Sequence, residues 1–85
     1  MESYRIEIKR SAQKEIQCLP KKDAQRIVAE IQQLSKDPRG PNSKKLSAQE
    51  RYRVRVGQYR ILYEIHDTIL LILIVRVAHR KEVYR

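Results

Sequence analysis

The sequence predicts an α+β domain in the order β-α-α-β-β-β, on three observations. An alternating stretch, Tyr4-Arg5-Ile6-Glu7-Ile8-Lys9, opens the chain. Ala24, Ile27, Val28, Ile31 and Leu34 then recur at three- and four-residue steps, the mark of a helix with one apolar stripe. Alternation returns from Tyr52 to Tyr63 around Gly57-Gln58 and leads into the wholly apolar run Ile69 to Val75. The 85 residues are enough for a single domain, 1–85, with one core. A content of 41% hydrophobic and 34% charged residues argues for folding and against disorder.

In chain order, Tyr4, Ile6 and Ile8 form the buried side of a first strand. Ser11 stands where an N-cap belongs, before Ala12-Gln13-Lys14-Glu15-Ile16. Pro20 cannot continue that helix, so the first helix is short and the pair reads as an αα-hairpin bent near Pro20. Asp37-Pro38-Arg39-Gly40-Pro41-Asn42-Ser43 is a breaker-rich loop that turns the chain toward the next strands. Lys44-Lys45-Leu46 continues it to the mouth of a hairpin. Ile65-His66-Asp67-Thr68-Ile69 reads as a tight connection, and Ile69–Val75 as a strand apolar on both parities, hence central in the sheet. The last three strands form an antiparallel meander, and the sheet as a whole is expected to be antiparallel. The first strand is expected to pair with the apolar one, the helices to cover one face, and the other face to stay open. A short C-terminal tail follows.

The hairpin organises the rest. Gly57 accepts φ > 0, and Gly-X is the sequence of a type II′ turn. With Gly57-Gln58 at the turn, Val56 faces Tyr59, Arg55 faces Arg60, Val54 faces Ile61, Arg53 faces Leu62 and Tyr52 faces Tyr63. Opposed residues share a face. Tyr52, Val54, Val56, Tyr59, Ile61 and Tyr63 make the core side, and Arg53, Arg55 and Arg60 the other. Like charges opposed across strands destabilise a sheet. Stability gives no reason to set Arg55 against Arg60; an anion docking there does, and an RNA phosphate fits.

The net charge is +9. Residues 1–41 hold nine basic and six acidic residues, or +3; residues 42–85 hold ten and four, or +6. The excess leans toward the hairpin, which suits nucleic acid or an acidic protein partner. The single Cys18 forms no intrachain disulfide, builds no zinc site with two separated histidines, and is expected to pack as a small hydrophobe. No metal or cofactor is expected. Met1-Glu2-Ser3-Tyr4-Arg5 has no apolar signal region, and Ile69–Val75 is too short to span a bilayer, so a cytoplasmic protein without membrane contact is expected.

The order of elements, with Lys45-Leu46, Tyr52-Arg53-Val54-Arg55-Val56, Tyr59-Arg60-Ile61-Leu62-Tyr63 and His79-Arg80-Lys81-Glu82-Val83-Tyr84, resembles the RelE/ParE superfamily of toxin–antitoxin toxins over nearly the whole chain. The resemblance implies a toxin of a type II toxin–antitoxin system. Its RelE branch implies a ribosome-dependent endoribonuclease (an mRNA interferase) that inhibits translation. Such enzymes cut the A-site codon by 2′-OH attack on the adjacent phosphate. The partners implied are the ribosome, mRNA and a RelB-like antitoxin in a hetero-oligomer. The alternative is a ParE-like toxin that inhibits gyrase without nuclease activity.

Carried onto this chain, the resemblance makes Arg53, Arg55, Arg60, Arg80 and Tyr84 the catalytic set; beside it, Lys44 and Lys45 at the hairpin mouth, with Arg51, His79 and Lys81, are the candidate RNA contacts. Phosphoryl transfer gathers charge on the non-bridging oxygens, and fixed guanidinium groups stabilise it; Arg60 and Arg80 are the candidates. Tyr84 can stack on a base or move a proton. RelE members commonly carry lysines at the positions of Arg53 and Arg55. Arginine does not shed its proton, so these two are phosphate clamps and not bases. The base is Tyr84, His79, or no strong base at all, with positioning on the ribosome carrying the reaction. Glu64 and His66 share the arginine parity farther from the turn, and Glu64 is expected to be a charge partner.

Overall fold

The computed structural model describes residues 3–41, 43–46 and 51–79. Strand β1 (Arg5–Ile8) leads to helices α1 (Arg10–Gln17) and α2 (Lys21–Lys36). Strands β2 (Ser43–Lys45), β3 (Arg51–Val56) and β4 (Tyr59–His66) follow, then a 3-10 turn at Asp67–Ile69 and β5 (Leu71–His79). The five strands form one sheet in the order β1-β5-β4-β3-β2.

The expected α+β arrangement holds, and β1 pairs with the apolar strand. Two details differ. The sheet is mixed, because β1 runs parallel to β5 while the other neighbours are antiparallel. Alternation reports which face a residue takes and carries no strand direction. An extra edge strand, β2, lies outside β3. Three polar residues give no periodic signal; the ladder of β3 recruits them.

Local chemistry moves several boundaries. Helix α1 starts at Arg10 with Lys9 at its N-cap and no capping side chain, so Ser11 lies inside the first turn. Pro20 is the N-cap of α2, where its missing N–H costs nothing. On α2 the buried stripe is Ile27, Ile31 and Leu34, while Val28 is 40% exposed and falls outside it. Strand β5 starts at Leu71, not Ile69, because the 3-10 turn and a left-handed Leu70 (φ 51°) use up the first two apolar residues. Ile69 is 60% exposed as a result. Cys18 is the C-cap of α1 and is exposed, not packed in the core.

The core lies between one sheet face and the two helices. Tyr63, Ile27, Ile61, Ile72 and Ile74 are its largest fully buried side chains. Each aliphatic one contributes about 1.5–3 kcal/mol by leaving water. Tyr52 and Tyr63 stack with ring centroids 5.9 Å apart. Every strand of the meander turns its alternate residues the other way, toward the face the helices do not cover. That face carries the candidate site.

Candidate functional site

The strand register sets the uncovered face out in rows. Gly57 takes φ 59° and no other residue of the turn has positive φ, which is the II′ pattern and fixes the hairpin pairing. Arg55 then opposes Arg60, and Arg60 opposes Ala78. In the next row Lys44 opposes Arg53, Arg53 opposes Leu62 and Leu62 opposes Arg76. A third row runs Arg51, Glu64, Leu73 and Glu7. Strands lie about 4.8 Å apart and successive rows about 6.7 Å, so neighbouring rows are within reach of one chain of phosphates.

The first two rows hold no carboxylate. Arg55 is exposed, Arg53 is half-buried and Lys44 is exposed, and among the described residues none of the three has an ion pair. Arg60 is different: only 2% of it is exposed. Burying a guanidinium opposite a second one costs desolvation and repulsion, which the other contacts Arg60 makes must offset. Arg76 reaches back to α1, where its Nε donates to Glu15 Oε2 at 3.3 Å. Glu15 Oε1 also accepts the Val77 backbone N–H at 2.8 Å, covering the edge of β5 beyond the end of β1.

The other expected residues divide. Lys44 joins Arg53, but Lys45 opposes Tyr52 and so takes the parity of the helix-covered face. Arg51 lies on the arginine face, but its Nε donates to Glu64 Oε2 at 3.3 Å. His66 Nε2 meets Glu64 Oε1 at 3.0 Å, so Glu64 is the charge partner its parity suggested. His79 opposes Tyr59 on the helix-covered parity, edge-on to the Tyr59 ring at 5.6 Å and 3.1 Å from Gln58 Oε1. It is therefore not gathered with Arg53, Arg55 and Arg60. Arg80, Lys81 and Tyr84 lie outside the described residues.

A polar framework, unmarked by any local pattern, holds the sheet beneath this site. Arg39 lies 5.4 Å above the Tyr52 ring and donates through Nε to the Tyr52 hydroxyl at 3.2 Å. Its Nη atoms grip Asp67 at 3.3 and 2.9 Å, and the Tyr4 hydroxyl donates to the same carboxylate at 2.6 Å. The Arg39 hydrogen bonds hold the Asp67 carboxyl below the usual carboxylate range. The hydrogen bond to Asp67 raises the Tyr4 phenol. Burial pushes the Tyr63 phenol up to about 12, and its hydroxyl donates to the Pro38 carbonyl at 2.6 Å. At the turn end, the Tyr59 hydroxyl donates to Asp23 of α2 at 2.9 Å, which raises that phenol too.

The arrangement offers cationic groups from β2 and β3 on one face of a braced sheet, with the buried Arg60 of β4 directly beside Arg55. It can grip a polyanion and stabilise charge developing on it. Comparisons with known proteins agree with a toxin of this shape. Residues 6–84 match the family of ParE toxins of the type II toxin–antitoxin system parDE. The chain is similar to the toxin in the RelBE2 toxin–antitoxin complex of Mycobacterium tuberculosis, with 28% identity and a TM-score of 0.83 over 92% of this chain and 99% of that one. It is similar to the archaeal RelE–RelB complex of Pyrococcus horikoshii, with 28% identity and a TM-score of 0.81 over 91% and 94%. It shares the fold of the isolated Escherichia coli RelE toxin, at 21% identity and a TM-score of 0.80 over 95% and 90%. No curated protein matches the sequence at a significant level. The chain belongs to the ParE toxin family of type II toxin–antitoxin systems, within the RelE/ParE superfamily, and its structure is of the RelE type.

Proposed function

We propose that this toxin is a ribosome-dependent endoribonuclease that cuts mRNA in the A site and so inhibits translation. One observation carries the reading: Arg55 opposed to Arg60, beside the Lys44–Arg53 pair, on a face turned away from the helices and without a carboxylate in either row. In the reaction the 2′-OH gives up its proton and attacks the adjacent phosphorus, the bond to the 5′-oxygen breaks, and that oxygen takes a proton from water, leaving a 2′,3′-cyclic phosphate and a 5′-OH. Arg60, with Arg80, stabilises the charge that builds on the non-bridging oxygens. Arg53 and Arg55 clamp the flanking phosphates, and their permanent charge keeps them out of proton transfer. Tyr84 stacks on a base or accepts the proton, and the ribosome supplies positioning.

The solved relatives from M. tuberculosis and P. horikoshii are toxin–antitoxin complexes, and we extend that to this chain as a RelB-like antitoxin partner in the cytoplasm. A surface with a net charge of +9 draws an acidic partner and speeds its association.

A second reading has its own support, since the matching family is described by ParE and the parDE system. It makes the protein a gyrase inhibitor with no nuclease. Primer extension on translated mRNA separates the two. New stops inside codons support the nuclease. Intact message together with cleaved or supercoiling-defective DNA supports gyrase inhibition.

A further inference from the structure

The uncovered face is basic over only part of its length, and its boundary is assembled from named groups. Beyond the Arg55–Arg60 and Lys44–Arg53 rows comes the row Arg51, Glu64, Leu73 and Glu7, with two carboxylates. Glu64 is held on both oxygens, by Arg51 Nε at 3.3 Å and His66 Nε2 at 3.0 Å. An ionised carboxylate has no proton to give, so His66 Nε2 is the donor. The Glu64 side chain is 24% exposed against 39% for Arg51, which places the acid deeper than its partner. Glu7 is tied to Arg5 at 3.3 Å. The row past this one is His66, Leu71 and Arg5, and its one cation, Arg5, is the partner already taken by Glu7.

We infer that Glu64 is a specificity-determining residue, which ends the anion-binding surface at the third row by occupying Arg51 and setting a carboxylate in the path of the backbone. This rests on the nucleic-acid reading of the face. Single-stranded RNA is thereby confined to the two rows nearest the turn. A phosphate entering the third row would have to break the Arg51–Glu64 pair and then face the carboxylate left behind. A strand that could slide along the whole face would bind in several registers, with only some placing the scissile bond against Arg60. Glu64 removes the others.

The test measures binding of a short, fluorophore-labelled single-stranded RNA to the purified full chain over a range of salt. Variants are Glu64→Gln, Glu64→Gln with Arg51→Gln, and Arg53→Gln. Glu64→Gln keeps size and shape but releases Arg51 to the RNA. One more phosphate contact steepens the plot of log affinity against log salt by about 0.7, equivalent to roughly fivefold tighter binding at ~0.1 M salt. Adding Arg51→Gln should return the slope to the wild-type value. Glu64→Thr, a strand former that cannot hold Arg51, repeats the measurement should the glutamine variant melt early. If Arg53→Gln weakens binding while both Glu64 variants keep the wild-type slope, Glu64 is only a cross-strand ion-pair partner and the inference fails alone. If Arg53→Gln also binds like wild type, the face holds no RNA, and the functional reading fails with it.

Discussion

Arg55 and Arg60 stand directly opposite each other on β3 and β4, cation against cation, and Arg60 is 2% exposed. A sheet optimised for stability alone would not choose this pair. Replacing Arg55 by threonine, a neutral strand former, should therefore raise stability by about 0.5 kcal/mol. The same change should weaken ribosome binding and lower its salt dependence, because one phosphate contact is lost. Urea denaturation and a salt series on ribosome binding read the two effects separately. A variant both less stable and unchanged in binding would count against a phosphate role.

Gly57 holds the hairpin that creates the pair. Its φ is 59°, and a Cβ there would come within 3.3 Å of the Arg26 guanidinium. Arg26 can move; the backbone cannot. Gly57→Ala should cost about 1–3 kcal/mol of stability, seen as a lower denaturation midpoint with unchanged slope.

The Tyr63 phenol, pushed up to about 12 by burial, predicts an alkaline limit. Its folded value lies above the unfolded one, so its contribution is whole below pH ~10 and fades as pH rises toward the folded value. Tyr63→Phe should be less stable at neutral pH by about 1–3 kcal/mol, because the buried Pro38 carbonyl loses its donor. It should also lack this part of the alkaline decline. Thermal melts from neutral to strongly alkaline pH compare the two chains.

Asp67 gives the acid counterpart. Its folded carboxyl is depressed by Arg39, so its contribution is present above the unfolded value near pH ~4 and is lost as pH falls through the folded one. Arg39→Gln should flatten this part of the acid decline. An identical acid profile in wild type and variant would show that the Arg39–Asp67 contacts do not reach the folding equilibrium.

The hairpin, the II′ turn, the arginine face and the pairing of the first strand with the apolar one were legible because period-two alternation and one glycine specify face and register together. The edge strand β2 was not legible: three polar residues lack a period, and their strand character comes from β3. Cys18 was misplaced inside, since residue type alone does not tell a helix C-cap from a core position. Val28 looked like part of the α2 stripe because it neighbours Ile27, yet its angle on the helix turns it outward. Lys45 was chosen for its place at the hairpin mouth, but the β2–β3 register that fixes its face is not written in three polar residues; it opposes Tyr52, on the parity that His79 also takes. The Arg39–Asp67–Tyr4 framework joins three distant segments, a contact that no local pattern encodes.

The most direct test of the account is the rate at which programmed ribosomes carrying A-site mRNA are cleaved by wild-type toxin and by Arg60→Ala, both checked for folding by melting temperature. Loss of one preorganised charge stabiliser at the reacting phosphate should slow cleavage by about 10²–10³-fold. Equal cleavage by a folded Arg60→Ala variant, or no cleavage by the wild type, would contradict it.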